Sequence, residues 1–145
     1  MPADLQLIDE WLRLLQESGY RQTLARRTIV EVILNSPRAL EPIEVFNKGR
    51  NLHSKLGLVT VYRTLEKLEE LSLVQRVHQP GGCNMYLRAT HGHEHLIICT
   101  RCGKADYFSG DDLSPLMNNV TNRTGFTINN HWLQLFGLCP ECKNQ

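Results

Sequence analysis

Residues 59–74 read VTVYRTLEKLEELSLV, and residues 75–87 read QRVHQPGGCNMYL. The first run sets Val61, Leu65, Leu68 and Leu71 on one stripe at helical spacing, with Tyr62, Arg63, Glu66 and Lys67 opposite and Thr60 as candidate N-cap. In the second run the period shortens, and a Pro-Gly-Gly turn separates two short apolar segments, the signature of a β-hairpin. A helix that runs into a hairpin is the second half of a winged helix-turn-helix. The residues upstream decide whether that reading holds.

Leu5, Ile8, Trp11, Leu12 and Leu15 recur at helical spacing, and Gly19 closes that segment. Thr23 is a plausible N-cap for LARRTIVEVILNS, where Leu24, Ile29, Ile33 and Leu34 can face a core while Arg26 and Arg27 face out. Pro37 ends this helix, and Pro42 opens a short third one through Val45 and Phe46. Three helices, a fourth and a hairpin is the winged order, in which the last helix enters the major groove. Thr60, Tyr62, Arg63 and Thr64 are therefore candidate DNA contacts. Arg63 can pair with guanine or phosphate, and Tyr62 can touch a thymine methyl or a phosphate.

Charge supports this reading locally rather than globally. The 145 residues carry a net charge of only +1, yet residues 20–63 hold eight basic side chains against three acidic ones. Arg21 and Arg26 belong to that basic footprint and extend the candidate DNA surface. The N-terminus carries acids where a signal peptide needs bases, and no stretch approaches a membrane span of about 20 apolar residues. A cytoplasmic protein without membrane partner or small organic substrate is expected. Disulfides are rare in that compartment, so paired cysteines point to metal or redox chemistry.

From His91 onward the composition shifts. HLIIC reads as a strand, DLSPLMNNVTNRTG as a helix ended by Gly125, and HWLQLFGLC as another strand. The fold class is α+β, with a winged helix over residues 1–87 and an α/β domain over residues 88–145. Within the latter, Cys99-Thr-Arg-Cys102 and Cys139-Pro-Glu-Cys142 each let two sulfurs of a tight turn meet one ion. Together they complete the tetrahedral four-sulfur shell of structural zinc. The competing chemistry, a thioredoxin-like thiol pair, lacks a surrounding βαβ pattern.

His91-Gly-His93-Glu-His95 precedes the first pair. On a strand the three imidazoles would point one way and Glu94 the other, which suggests a histidine-based metal site. Cys83 on the wing and His78 before the turn could complete that set. A second set would join Glu94 to His131 with Asp112 or Asp111.

The segments GLVTVYRTLEKLEELSLV, HGHEHLIICTRCGK and INNHWLQLFGLCPEC, in this order, resemble the ferric uptake regulator superfamily over nearly the whole chain. The resemblance implies a homodimer, joined through the C-terminal domain, that binds a palindromic operator when loaded with a regulatory metal. Departures fall on the sensing positions. Leu87 stands where the family commonly has an acidic ligand after the second wing strand, and Tyr107, beside Asp106, stands five residues after Cys102. The loop before the third helix offers Arg38 or Ala39 in place of a histidine, and Ser114 replaces the glutamate that often joins His131. The run from the last histidine to Cys99 is one residue longer than usual.

These observations lead to the expectation of a metal-dependent repressor. Cys99, Cys102, Cys139 and Cys142 hold structural zinc, and a hinge ion held by His93 and His95 with His91, Cys83 or His78 sets the angle between domains. The lost carboxylates and Cys83 soften the site and favour zinc over iron or manganese, pointing to a zinc uptake regulator. An iron-responsive or peroxide-sensing regulator is the alternative within the superfamily. A thiol oxidoreductase and a purely structural adaptor are the alternatives outside it.

Overall fold

The computed structural model describes residues 3–78, 84–91, 94–109 and 112–145. Four helices lead the chain: α1 (Leu5–Glu17), α2 (Leu24–Asn35), α3 (Pro42–Arg50) and α4 (Leu58–Glu70). Their starts are encoded locally. The Asp4 carboxylate accepts from the Gln6 N–H at 2.9 Å, the Thr23 hydroxyl from the Arg26 N–H at 3.2 Å, and Glu41 with Glu44 forms a capping box. Each such cap contributes about 1 kcal/mol. α4 differs from the expectation, because Gly57 is its N-cap and Thr60 lies in its first turn.

The helices bury one continuous core built from Ile8, Trp11, Leu12 and Leu15 of α1, Ile29, Val30 and Ile33 of α2, Val45 of α3, and Val61, Leu65 and Leu68 of α4. Leu24, expected inside, is 61% exposed: it is the first residue after the cap, where the stripe has not yet turned inward. Ser72 adopts the left-handed conformation (φ 60°) between α4 and the wing. The wing itself is β1 (Val74–His78) antiparallel to β2 (Asn84–Arg88), with Val74 opposite Arg88 and His78 opposite Asn84. Leu40 and Tyr86 exchange backbone hydrogen bonds of 2.9 and 2.8 Å, which fastens the loop before α3 to β2.

The C-terminal part is a three-stranded sheet with β3 (His95–Cys99) in the centre, β4 (Ala105–Phe108) antiparallel on one side and β5 (Gln134–Gly137) parallel on the other. Helix α5 (Ser114–Thr124), ended by Gly125 at φ 76°, makes the crossover that a parallel strand requires. A last turn, α6 (Pro140–Lys143), follows. Strand β4 and helix α6 were not among the elements expected from the sequence.

None of the α5 residues is buried, while Leu116, Val120, Phe126 (73% exposed) and Trp132 (80%) lie open on this half of the molecule. A second apolar cluster ties the halves together: Ala39, Val77, Met85 and Leu87 with Leu96 and Ile98, flanked by Ala105 and Tyr107. Its members come from both sides of residue 87, so a shared core spans the junction between the two parts.

Candidate metal centre

Cys99 closes β3, Cys102 sits on the turn that follows, and Cys139 and Cys142 flank the start of α6. The four sulfurs lie within 4.8 Å of one another and none is in a disulfide. The gap between Cys102 Sγ and Cys139 Sγ is 3.8 Å. Four sulfurs placed tetrahedrally at a zinc–sulfur distance of about 2.3 Å would stand about 3.8 Å apart, so the donor set and its spacing fit zinc.

Within the cluster the electrostatics differ from one sulfur to another. Backbone N–H groups of Cys102 and Cys139 point at Cys99 and lower its thiol to about 6. Burial, with three neighbouring sulfurs, pushes Cys142 up to about 12. Thiolates buried and crowded this way are poorly accommodated without a counter-charge, which a divalent ion supplies. Arg101 donates to the Cys142 carbonyl at 2.8 Å, and Lys104 pairs with Glu141 at 3.5 Å across the same turns.

The histidines sort differently from the expectation. β3 begins only at His95, so strand alternation does not extend back to His91. His91 is exposed; its N–H donates to Glu94 Oε1 at 2.9 Å, and its carbonyl accepts from the Glu94 N–H at 3.0 Å. His95 is buried, and its ring lies 5.5 Å from Phe108 and 5.7 Å from His131. The ring beside His131 is thus that of His95, and Glu94 lines the same cavity. Both imidazoles line a cavity of about 170 Å³ together with Gln75, Thr90, Glu94 and Asn130.

Glu94 is committed elsewhere. It pairs with Arg88 at 3.6 Å. Burial works to raise its pKa, but the His91 N–H and Arg88 outweigh that and hold the carboxyl below its usual range. Asp112 is likewise engaged, accepting from the Ser114 N–H at 2.9 Å, and hydrogen bonds from the Ser114 side chain and backbone lower its pKa. Cys83, His93 and Asp111 lie outside the described residues, as does the side chain of His78, whose backbone pairs with Asn84. Among the described residues the four cysteines are the one cluster of three or more ligands that could share an ion. Gln75 and Asn130 are cavity residues that sequence reasoning missed, since amides at no distinctive spacing carry no signal.

On α4, Tyr62 and Arg63 are exposed and Thr60 is half-buried. Thr64 is a correction: it is 0% exposed, because positions 61, 64, 65 and 68 form the inward face, and its Oγ1 has no hydrogen-bond partner. It cannot reach a groove. Arg21 is exposed. The Arg26 guanidinium lies 4.9 Å above the Tyr20 ring and donates to the Arg21 carbonyl at 2.6 Å, so it is half-buried rather than free.

The model of the ferric uptake regulator family matches residues 17–136. The chain belongs to the ferric uptake regulator family. Members of this family are metal-responsive transcription regulators, not enzymes, which removes the thiol oxidoreductase reading. The ferric uptake regulation protein of Vibrio parahaemolyticus is 32% identical over 133 residues, covering 89% of each chain. Among solved structures, the Helicobacter pylori ferric uptake regulator superposes with a TM-score of 0.73 at 26% identity, covering 99% of this chain and 97% of that one. A zinc uptake regulator bound to zinc and DNA shares the fold at TM-score 0.70 and 21% identity, over 96% of this chain and 94% of that one. The mixed helix and sheet architecture matches that of ferric uptake regulator structures, which have an N-terminal DNA-binding domain and a C-terminal dimerisation domain. No helix among the described residues is long and apolar enough to cross a membrane.

Proposed function

We propose that this family member is a cytoplasmic, homodimeric repressor that binds a palindromic operator, carries structural zinc at Cys99, Cys102, Cys139 and Cys142, and responds to a divalent ion held by His95 and His131. The observation that carries the reading is the four-sulfur cluster at zinc spacing, because it supports the half of the protein that presents the winged helices in pairs. The open apolar side chains Leu116, Val120, Phe126 and Trp132 supply a surface that a second copy would cover. Two copies would then offer two recognition helices, with Arg63 and Tyr62 exposed on each, to half-sites about one helical turn apart.

Zinc in the cysteine cluster supplies folding free energy rather than reaction chemistry. His95 and His131, on β3 and just before β5, bring two imidazoles to one cavity; nitrogen donors without a free carboxylate favour zinc over manganese or iron. The Helicobacter pylori relative has three functional metal-binding sites. Two are proposed for this chain.

Metal content of purified protein before and after mild chelation tests the assignment. One zinc per subunit that resists chelation, lost together with dimer in Cys139→Ser, is the expected result. A second reading, response to iron, is favoured by the 32% identity to a ferric uptake regulation protein. It predicts that ferrous ion, and not zinc, raises operator affinity at micromolar concentration.

A further inference from the structure

The cavity that His95 and His131 share has a carboxylate on its wall, and that carboxylate is already engaged. Glu94 lines the cavity of about 170 Å³ together with the two imidazoles. Its Oε1 lies 3.6 Å from Arg88 Nη1 and accepts from the His91 N–H at 2.9 Å. The Glu94 N–H donates in turn to the His91 carbonyl at 3.0 Å, which closes a tight turn over residues 91–94. Glu94 is therefore held from two sides before any ion arrives.

Arg88 ends β2, at the joint between the wing and the sheet, and contacts other than Glu94 fix its place. Its guanidinium lies 4.1 Å above the Tyr107 ring of β4, and its Nη1 donates to the Ala89 carbonyl at 3.2 Å. The Tyr107 hydroxyl donates to the Arg88 carbonyl at 2.5 Å, so the backbone beneath the guanidinium is tied to the same ring. The Arg88 and Glu94 side chains are 27% and 29% exposed, and water and salt screen such a pair only in part. A guanidinium keeps its charge throughout the physiological range and cannot release its partner by titration.

The cavity can therefore present two different donor sets. With Glu94 held by Arg88 it offers imidazole nitrogens, which suit zinc; with Glu94 released it would add a carboxylate oxygen, which favours manganese more than zinc. We propose that Arg88 determines metal specificity at this cavity by withholding the Glu94 carboxylate from the ion, so that the donors stay nitrogen-rich. Its positive charge also disfavours any divalent cation nearby. Arg88 touches no ion: it is a positioning residue that acts through Glu94. The inference rests on the His95–His131 assignment proposed above. A further imidazole from outside the described residues would strengthen every variant alike and leave the comparison between metals intact.

Competitive titration against a fluorescent chelator, with zinc and with manganese, tests this on the full-length protein with its cysteine-bound zinc retained. Wild type, Arg88→Gln, Glu94→Gln and the double variant are compared. Arg88→Gln should bind manganese about tenfold or more tighter than wild type and zinc tighter by a smaller factor, so that the preference for zinc narrows. Beside Glu94→Gln the same substitution should leave the ratio of the two affinities unchanged, because no carboxylate remains to release. Arg88→Met, whose stem still packs on the Tyr107 ring, gives the same readout if Arg88→Gln does not fold. An unchanged ratio in the folded Arg88 variant would overturn the inference, and so would a narrowing that persists in full beside Glu94→Gln. His131→Ala separates this from the underlying assignment. If it binds zinc as wild type does, the cavity assignment fails and the role of Arg88 with it; if it loses zinc while the Arg88 variant keeps the wild-type ratio, the assignment stands and the role of Arg88 fails.

Discussion

Tyr107 offers a titration that reports on the joint. Burial pushes its hydroxyl up to about 12 from an ordinary value of 10.0, against the opposing pull of the Arg88 guanidinium above the ring. A group whose pKa is raised by folding binds its proton more tightly in the folded state. Its contribution is complete below pH 10 and is lost as pH rises from about 10 to 12. At about 1.4 kcal/mol per unit the full shift would be near 3 kcal/mol, and partial exposure of the ring reduces this to about 1 to 2 kcal/mol. Tyr107→Phe keeps the ring under Arg88 but removes the hydrogen bond to its carbonyl, at a cost of about 1 kcal/mol. Urea denaturation at pH 9, 10, 11 and 12 should therefore show wild type the more stable at pH 9, with the gap to Tyr107→Phe shrinking and closing by pH 12. Two curves that stay parallel across this range would refute the claim that the buried hydroxyl, rather than another tyrosine, governs the alkaline loss.

Other perturbations have equally definite outcomes. Cys139→Ser should release the chelator-resistant zinc and abolish the dimer and the cooperative melt of the C-terminal domain, because binding in such sites is folding free energy on the order of 10 kcal/mol; metal analysis with sedimentation checks it. Arg63→Ala should weaken operator binding by about 1 to 3 kcal/mol with metal content intact, and a loss confined to one base position would show that it reads guanine. Thr64→Val replaces a buried hydroxyl that has no partner with a methyl group, so thermal stability should hold or rise by up to about 1 kcal/mol and operator affinity should not change.

The N-terminal half was legible because its signals are local. The cap at Thr23, the prolines at 37 and 42 and the stripe of α4 each act within one helical turn. Thr64 was read as outward because it adjoins Tyr62 and Arg63, although the spacing 61, 64, 65, 68 assigns it to the buried face. Cysteine spacing was legible for the same reason as the cap: each pair spans a single turn.

The histidine site was only half legible. Which imidazole meets His131 depends on where β3 begins and on its parallel pairing with β5 across 35 or more residues, and no local pattern encodes a non-local register. The extra residue before Cys99 was the available clue, since it moves every side chain upstream to the opposite face. The apolar cluster shared by the two halves was hidden differently: Ala39, Leu87 and Leu96 stand far apart in the sequence, and no local pattern shows that they meet.

In the function proposed above, an ion at His95 and His131 makes DNA binding metal-responsive while the four-cysteine zinc is permanent. A metal titration of affinity for the duplex recovered by selection from a random pool, run on wild type and His131→Ala in parallel, tests it most directly. Wild type should bind more tightly as zinc is added, while His131→Ala, retaining one zinc per subunit and a folded dimer, should bind with an affinity that no longer depends on zinc. A zinc response of equal size in both proteins would contradict the account.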